Sequence, residues 1–305
     1  MENTPFKDNG DHCLSDNGIT YKEINTQSAL KKLKRRVPYG WDLNIYRGCQ
    51  HGCRYCYAMY SHDYLNSRDF FGDIYVKTDI IQHLERELRS DSWAGEVVNI
   101  GGVTDSYQPA EAKYRLMPQV LKLMIKYKTP VIISTKSDLI LRDFELIDQL
   151  SQLTYVNIAL TITTGDEKVR KKIEPGSCSA HRRFEVLKEF SKTNASTGVH
   201  LMPIIPLLTD GQDNIEYIIS HAKECKADYL LPGTLYLRGN TRQHFFRFIA
   251  EEYPTLLDGL KGIYETGGAD KAYKTRLYEM VNRLRSKYGV SSSYMKPMKE
   301  KLRGR

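Results

Sequence analysis

The chain reads as an α/β protein built on a parallel sheet, and three observations carry that reading. Short apolar runs alternate with stretches of helical period for six rounds from Asp42 onward. Strands separated by helices imply right-handed crossovers and a sheet covered by helices. Each glycine-rich or polar motif falls just after an apolar run, at the strand ends where parallel α/β folds place their chemistry. Six rounds are too few to close an eight-stranded barrel, and a doubly wound sheet would also put its motifs at strand ends.

Taken in order, the first 20 residues are rich in Asp, Asn and Gly and read as a mobile arm, with His12 and Cys13 lacking neighbours to complete a site. The basic run Lys31-Lys-Leu-Lys-Arg-Arg36 ahead of Pro38 reads as a solvated linker. A strand over 41–45 leads into a cysteine-rich loop. Ile80, Ile81, Leu84 and Leu88 make a helical stripe within 76–89. A buried strand over 96–100 then ends in Gly101-Gly102. The alternation continues with a helix over 117–127, a strand over 131–134, a helix over 139–150 and a strand over 156–161. Helix 181–192, strand 199–205, helix 214–225 and strand 228–231 complete it. From Thr241 the pattern is helical: Leu277, Met280, Val281 and Leu284 form an apolar stripe that should pack across the edge or open mouth of the sheet. The organisation expected is an arm and linker over 1–40, a catalytic α/β unit over 41–240 and a basic helical extension over 241–305.

A chain of 305 residues, 41% hydrophobic, can bury one large core. No apolar run approaches the roughly 20 residues of a membrane span. Clustered thiols fit a reducing compartment, so a soluble cytoplasmic protein is expected. The net charge of +8 is uneven: Thr241 to Arg305 holds 14 Lys+Arg against 7 Asp+Glu. That segment is either a surface for phosphates and polyanions or a solvated helical face.

Cys49, Cys53 and Cys56 stand in the spacing C-x3-C-x2-C. A disulfide would leave one thiol over, so three soft ligands this close argue for a metal centre. Zinc would need a fourth ligand, for which His51 and His62 are the candidates. An iron–sulfur cluster would instead leave one iron open to a small ligand. Gly48 and Gly52 suit a loop wrapped closely round such a group.

The stretch Gly48-Cys49-Gln-His-Gly-Cys53-Arg-Tyr-Cys56-Tyr57 resembles the cluster loop of radical S-adenosylmethionine (SAM) enzymes. Gly101-Gly-Val-Thr-Asp-Ser-Tyr-Gln-Pro-Ala-Glu111, Thr135-Lys-Ser137 and Glu174-Pro175 narrow the resemblance to the spore photoproduct lyase-like group. It spans roughly 41–240 and implies a partial (β/α)6 TIM-type barrel. It also implies a [4Fe–4S] cluster on Cys49, Cys53 and Cys56, with SAM completing the open iron. Tyr55 would then meet the adenine, and Gly101, Gly102, Thr104 and Asp105 the methionyl ammonium. Lys136 would pair with the carboxylate, and Thr161 would bond the ribose, with Thr163 competing on the same strand face. A flavodoxin or ferredoxin would serve as reductant.

DNA is a candidate substrate, given the basic tail and 21 tyrosines. Tyr107, Gln108 and Pro109 would line the substrate side, and Pro203 and Pro206 would bend a strand end over the adenine. Glu174 would form a buried ion pair with Arg182 or Arg183. One departure from the group's pattern stands out: the loop Val103-Thr104-Asp105-Ser106 has no cysteine to act as hydrogen donor. Cys178 is the remaining candidate for that role. Two other classes compete with an enzyme: a zinc knuckle on a nucleic-acid-binding protein, and an iron–sulfur electron carrier.

Overall fold

The computed structural model describes residues 18–34, 39–63, 67 and 69–302. Its N-terminal portion forms β1 (Thr20–Ile24), β2 (Leu30–Lys32), β3 (Trp41–Leu43) and β4 (Tyr46–Arg47). The cysteine loop follows, with a 3₁₀ segment at Tyr57–His62, then β5 (Asp73–Lys77) and α1 (Ile80–Leu88). β6 (Val98–Ile100) leads through α2 (Pro109–Tyr114) and α3 (Leu116–Lys126) to β7 (Val131–Thr135), and α4 (Phe144–Leu153) to β8 (Val156–Thr161). Next come α5 (Glu167–Ile173), α6 (Ala180–Phe190), β9 (Ser196–Ile204), α7 (Gln212–Glu224) and β10 (Tyr229–Thr234). The C-terminal region is helical throughout: α8 (Gly239–Glu252), α9 (Leu257–Ile263), α10 (Lys271–Tyr288) and α11 (Met295–Leu302).

The main sheet runs β10-β9-β8-β7-β6-β3-β2. Six strands, β3 and β6 to β10, are mutually parallel, and β2 closes one edge antiparallel to β3. The six predicted rounds therefore become a partial (β/α)6 barrel. The elements over 20–32 were invisible to periodicity, because β1 is half-exposed and pairs with β5 across about 50 residues of chain. Residues 1–17, including His12 and Cys13, and 35–38 lie outside the described residues.

Strand alternation sorts the sheet into two kinds of row. Leu43, Ile100, Ile133 and Ile158 lie in register and are fully buried in the apolar layer under the helices. The opposite face carries Asp42, Asn99, Ile132, Asn157 and Ser196 in register, followed by Ser134, Ala159, Gly198 and Tyr229. Polar residues here bond one another: Asn99 Nδ2 donates to Asp42 at 2.8 Å, and the Tyr229 hydroxyl to Asn157 at 2.9 Å. Gly198 gives Tyr229 its place, since a Cβ there would lie 2.1 Å from the ring.

The helical tail takes three positions. The Thr241 hydroxyl at the start of α8 donates to the Cys56 carbonyl at 2.8 Å. α10 packs on α7 through the predicted stripe, with Leu277, Val281 and Leu284 buried and Met280 partly so. Ser291 then caps the outer strand, its carbonyl accepting from Leu230 N at 2.8 Å. Finally α11 brings Met298 against Val97, Ile132 and Tyr155, at the starts of the strands. The tail thus covers the edge and the floor of the barrel as well as the loop side.

Candidate active site

The loop from Gly48 to Tyr57 leaves β4 at the end of the barrel where the parallel strands finish. Its seat is built from backbone contacts. Gly48 has φ +82°, and a Cβ on it would lie 2.5 Å from the Asp73 carbonyl, so glycine is required by the approach of β5 rather than by any bound group. The Gly48 carbonyl accepts from the Thr104 hydroxyl at 2.6 Å and Gln108 Nε2 at 3.1 Å, while Gln108 Oε1 accepts from Gln50 N at 3.0 Å. Arg54 N bonds Ile173 O at 2.9 Å on the far side. Gly176 is pressed against the loop as well, because a Cβ there would lie 2.3 Å from Gln50 O.

Cys49 and Cys53 are buried, Cys56 is half-buried, and all three are free thiols. Burial pushes their pKa values up, that of Cys53 to about 12, so as thiolates they require a cation beside them. Among the described residues no three Cys, His, Asp or Glu side chains converge as ligands of a single metal ion. Of the two histidines offered as a zinc's fourth ligand, His51 is engaged at both ring nitrogens and His62 at one, its Nδ1 having no hydrogen-bond partner. His51 holds Gly176 O through Nδ1 at 2.8 Å and Asp105 Oδ2 through Nε2 at 3.0 Å. Both ring nitrogens are therefore taken up within the chain. His62 Nε2 bonds Asp73 O at 3.0 Å, and its ring packs edge-on to Phe70 and Tyr75.

The motif after β6 proves to be a clamp on this loop. Asp105 accepts from Tyr107 N (2.9 Å), the Thr135 hydroxyl (2.8 Å), His51 (3.0 Å) and Lys136 N (2.8 Å). Four donors occupy its two oxygens, and the carboxylate ties β6, β7 and the cysteine loop together. Burial opposes the Asp105 charge, yet His51 and the other donors hold the carboxyl down to about 2. Thr104 is engaged likewise, through Gly48 and Gln108. Tyr107 is fully buried with its hydroxyl on Asp143 at 3.1 Å, and Gln108 is fully buried in the loop's seat, so neither lines a substrate surface. Gly101 (φ +87°) and Gly102 end the strand against the chain's own atoms: a Cβ would lie 3.1 Å from the Thr104 carbonyl at Gly101 and 2.8 Å from the Asp42 carboxylate at Gly102. Glu111, at the motif's end, receives the Tyr46 hydroxyl at 2.6 Å and Arg142 at 2.6 Å.

A second charged group flanks the loop. Glu174 and Arg183 form an ion pair at 2.6 Å with both side chains 1% exposed, which selects Arg183; Arg182 turns outward to Asp138. The Tyr55 hydroxyl donates to Glu174, and the Thr163 hydroxyl donates to the same oxygen at 3.0 Å. Burial works against the Glu174 charge, but Arg183 and Lys136 hold the carboxyl down to about 2. Lys136 stands with Nζ 5.8 Å from the centre of the Tyr55 ring. Burial disfavours its charge, but Cys53, Glu174 and Asp105 outweigh that and raise its pKa above the ordinary lysine value. Thr163 is thus taken up by Glu174, whereas the Thr161 hydroxyl, one strand step back, makes no hydrogen bond among the described residues. Cys178 lies against the end of β7, its thiol donating to Lys136 O at 3.2 Å; burial lifts its pKa to about 11, so it stays protonated.

Three free thiols, two buried and one half-buried, thus share a loop at the strand ends of a partial α/β barrel. The chain matches the Radical SAM superfamily over residues 43–218 and belongs to it. It is a radical SAM enzyme. An uncharacterised protein of Mycobacterium tuberculosis is 32% identical over 283 residues, covering 91% of this chain and 83% of that protein. An uncharacterised protein of Methanocaldococcus jannaschii is 27% identical over 272 residues, covering 87% and 96%. Among solved structures, a spore photoproduct lyase variant with bound AdoMet and dinucleoside spore photoproduct superposes with TM-score 0.64 at 14% identity, covering 88% of this chain and 79% of that one. Streptococcus suis SuiB bound to S-adenosylmethionine gives TM-score 0.54 at 17% identity, covering 81% and 48%. At these identities the structural likeness is one of fold.

Proposed function

We propose that Cys49, Cys53 and Cys56 hold a [4Fe–4S] cluster and that SAM binds beside it across the strand ends. The observation that carries the reading is a set of three free thiols on one loop at the strand ends, Cys49 and Cys53 buried and Cys56 half-buried, with the neighbouring His51 engaged at both ring nitrogens. That leaves a three-thiolate site, which suits a cluster with one open iron. When bound, the cluster supplies one electron to the sulfonium of SAM, so that a C–S bond breaks into methionine and a 5′-deoxyadenosyl radical able to take hydrogen from a substrate.

The chain's own residues serve this chemistry by holding and shielding. Lys136, kept charged, offers a point charge for the SAM carboxylate. Gly101 and Gly102, at the end of β6, would lie beside the methionyl end. The Thr161 hydroxyl is the free donor for the ribose. Tyr55, fixed by Glu174 and Arg183, provides one wall for the adenine. Asp105 and Thr104 act one step away, as positioning residues for the cysteine loop. Cys178, held protonated, is the candidate hydrogen donor to a product radical. The basic tail supports DNA as the substrate to test first. Stacking surfaces are fewer than the tyrosine count implied, since Tyr46, Tyr107, Tyr155, Tyr229 and Tyr264 are fully buried.

Electron spin resonance of the anaerobically reconstituted, reduced protein tests the reading. A [4Fe–4S] signal that changes on adding SAM is the result expected. A colourless protein with one zinc, or a cluster signal unmoved by saturating SAM, would overturn it in favour of the zinc module or the electron carrier.

A further inference from the structure

A cavity of about 410 Å³ opens on the reverse side of the cysteine loop, walled by the C-terminal end of α5 and by one face of α8. Arg54, between the second and third cysteines, forms its floor. Its guanidinium stands 5.8 Å from the centre of the Phe248 ring. Lys171 and Lys172 line one wall, and His244, Arg247 and Phe248 the other, at the i, i+3, i+4 positions of a single helical face. Two buried nitrogens at this cleft, Arg54 Nε and His244 Nε2, have no hydrogen-bond partner. Lys172 is paired with Glu252 at 2.9 Å, but no ion pair is seen for Arg54, Lys171 or Arg247 among the described residues. The cleft is also fixed to the loop from both walls: Arg54 N bonds Ile173 O next to Lys172, and Thr241, one turn before His244, bonds the Cys56 carbonyl.

We propose that this cleft is the docking face for an acidic one-electron protein reductant, a proposal that rests on the three-cysteine loop holding a cluster. A buried cluster must receive each electron through the loop that encloses it. The face of that loop turned towards α5 and α8 carries unpaired positive charge two residues or fewer from two of the three cysteines. Complementary carboxylates on a donor would be steered there and would satisfy the guanidinium of Arg54. A phosphodiester strand fits less well, because Glu251 and Glu252 on the same wall interrupt the positive field along any path through the cleft. A compact acidic patch on a folded protein tolerates that mixture.

The test uses the reconstituted holoenzyme and two electron sources, reduced flavodoxin and dithionite, with 5′-deoxyadenosine as the readout. The exposed pair Lys171→Glu and Arg247→Glu, and separately Lys171→Gln and Arg247→Gln, should lower flavodoxin-driven turnover about tenfold or more while dithionite-driven turnover stays at the wild-type rate. Rising salt should slow the flavodoxin-driven reaction of the wild type and leave that of the charge-reversed protein nearly flat. Flavodoxin-driven turnover within about twofold of wild type in both double variants would overturn the docking face. So would loss of binding to a fluorescent single-stranded oligonucleotide with reduction by flavodoxin intact, which would make the cleft a nucleic-acid site. A wild-type protein inactive with dithionite as well would instead bring down the cluster reading on which the docking face depends.

Discussion

At the scale of single residues, the cysteine loop is held by two buried carboxylates that never touch a thiol. Glu174 ionises in the folded protein near 2 against an ordinary 4.5, and Asp105 near 2 against 3.8. A depressed carboxyl stabilises the fold above its ordinary value, and that contribution is lost as pH falls from about 4.5 towards 2. Glu174→Gln should therefore lower the thermal midpoint at pH 7 and flatten its decline across that acid window, as read by circular dichroism against pH. Removing the other partner is harsher, because Glu174 is then left buried and uncompensated: Arg183→Met should cost about 3 kcal/mol in denaturant unfolding. Cys178 has a different signature. Cys178→Ala should leave SAM cleavage near wild type while changing solvent-deuterium incorporation into product; unchanged incorporation would remove its role as donor.

At the scale of elements, the loop's seat depends on neighbours distant in sequence. Gly48→Ala places a methyl against the β5 backbone, so iron incorporation should fall to a minor fraction of wild type, measured as iron per chain after reconstitution. Full iron content in that variant would contradict the seat described for Gly48. At the barrel floor, Met298→Ala should cost about 2 kcal/mol and leave the cluster's absorption untouched, because α11 packs at the opposite end from the thiols. The cysteine spacing, the strand-end glycines and the six strand–helix rounds were legible because each is a local pattern. The contacts that Asp105, Thr104, Tyr107 and Gln108 make within the chain were not legible, because most of their partners lie 30 to 60 residues away, and a carboxylate in a loop looks the same whether it meets a ligand or a histidine. Arg183 could be told from Arg182 only once α6 was in place, since adjacent helical residues point about 100° apart. The cleft at Arg54 left no mark in the sequence, as its walls come from residues 54, 171–172 and 244–252.

At the scale of the molecule, the half-barrel explains why one end carries chemistry and the other only packing. Parallel strands deliver Gly101, Lys136 and Thr161 to the same rim as the cysteine loop, while α11 seals the starts of the strands. Among the described residues no helix is long and apolar enough to cross a membrane. Asp42, Asn99, Asn157 and Tyr229 lie on the face of the sheet away from the covering helices and give it its hydrogen bonds. The most direct test of the account is 5′-deoxyadenosine formation from SAM under dithionite, comparing wild type with Cys53→Ala, with and without added DNA. The account predicts product from the wild type and none from Cys53→Ala, with stimulation by DNA if the substrate is nucleic acid. An iron-loaded, SAM-binding wild type that forms no 5′-deoxyadenosine with or without DNA, or a Cys53→Ala protein that forms as much, would contradict it.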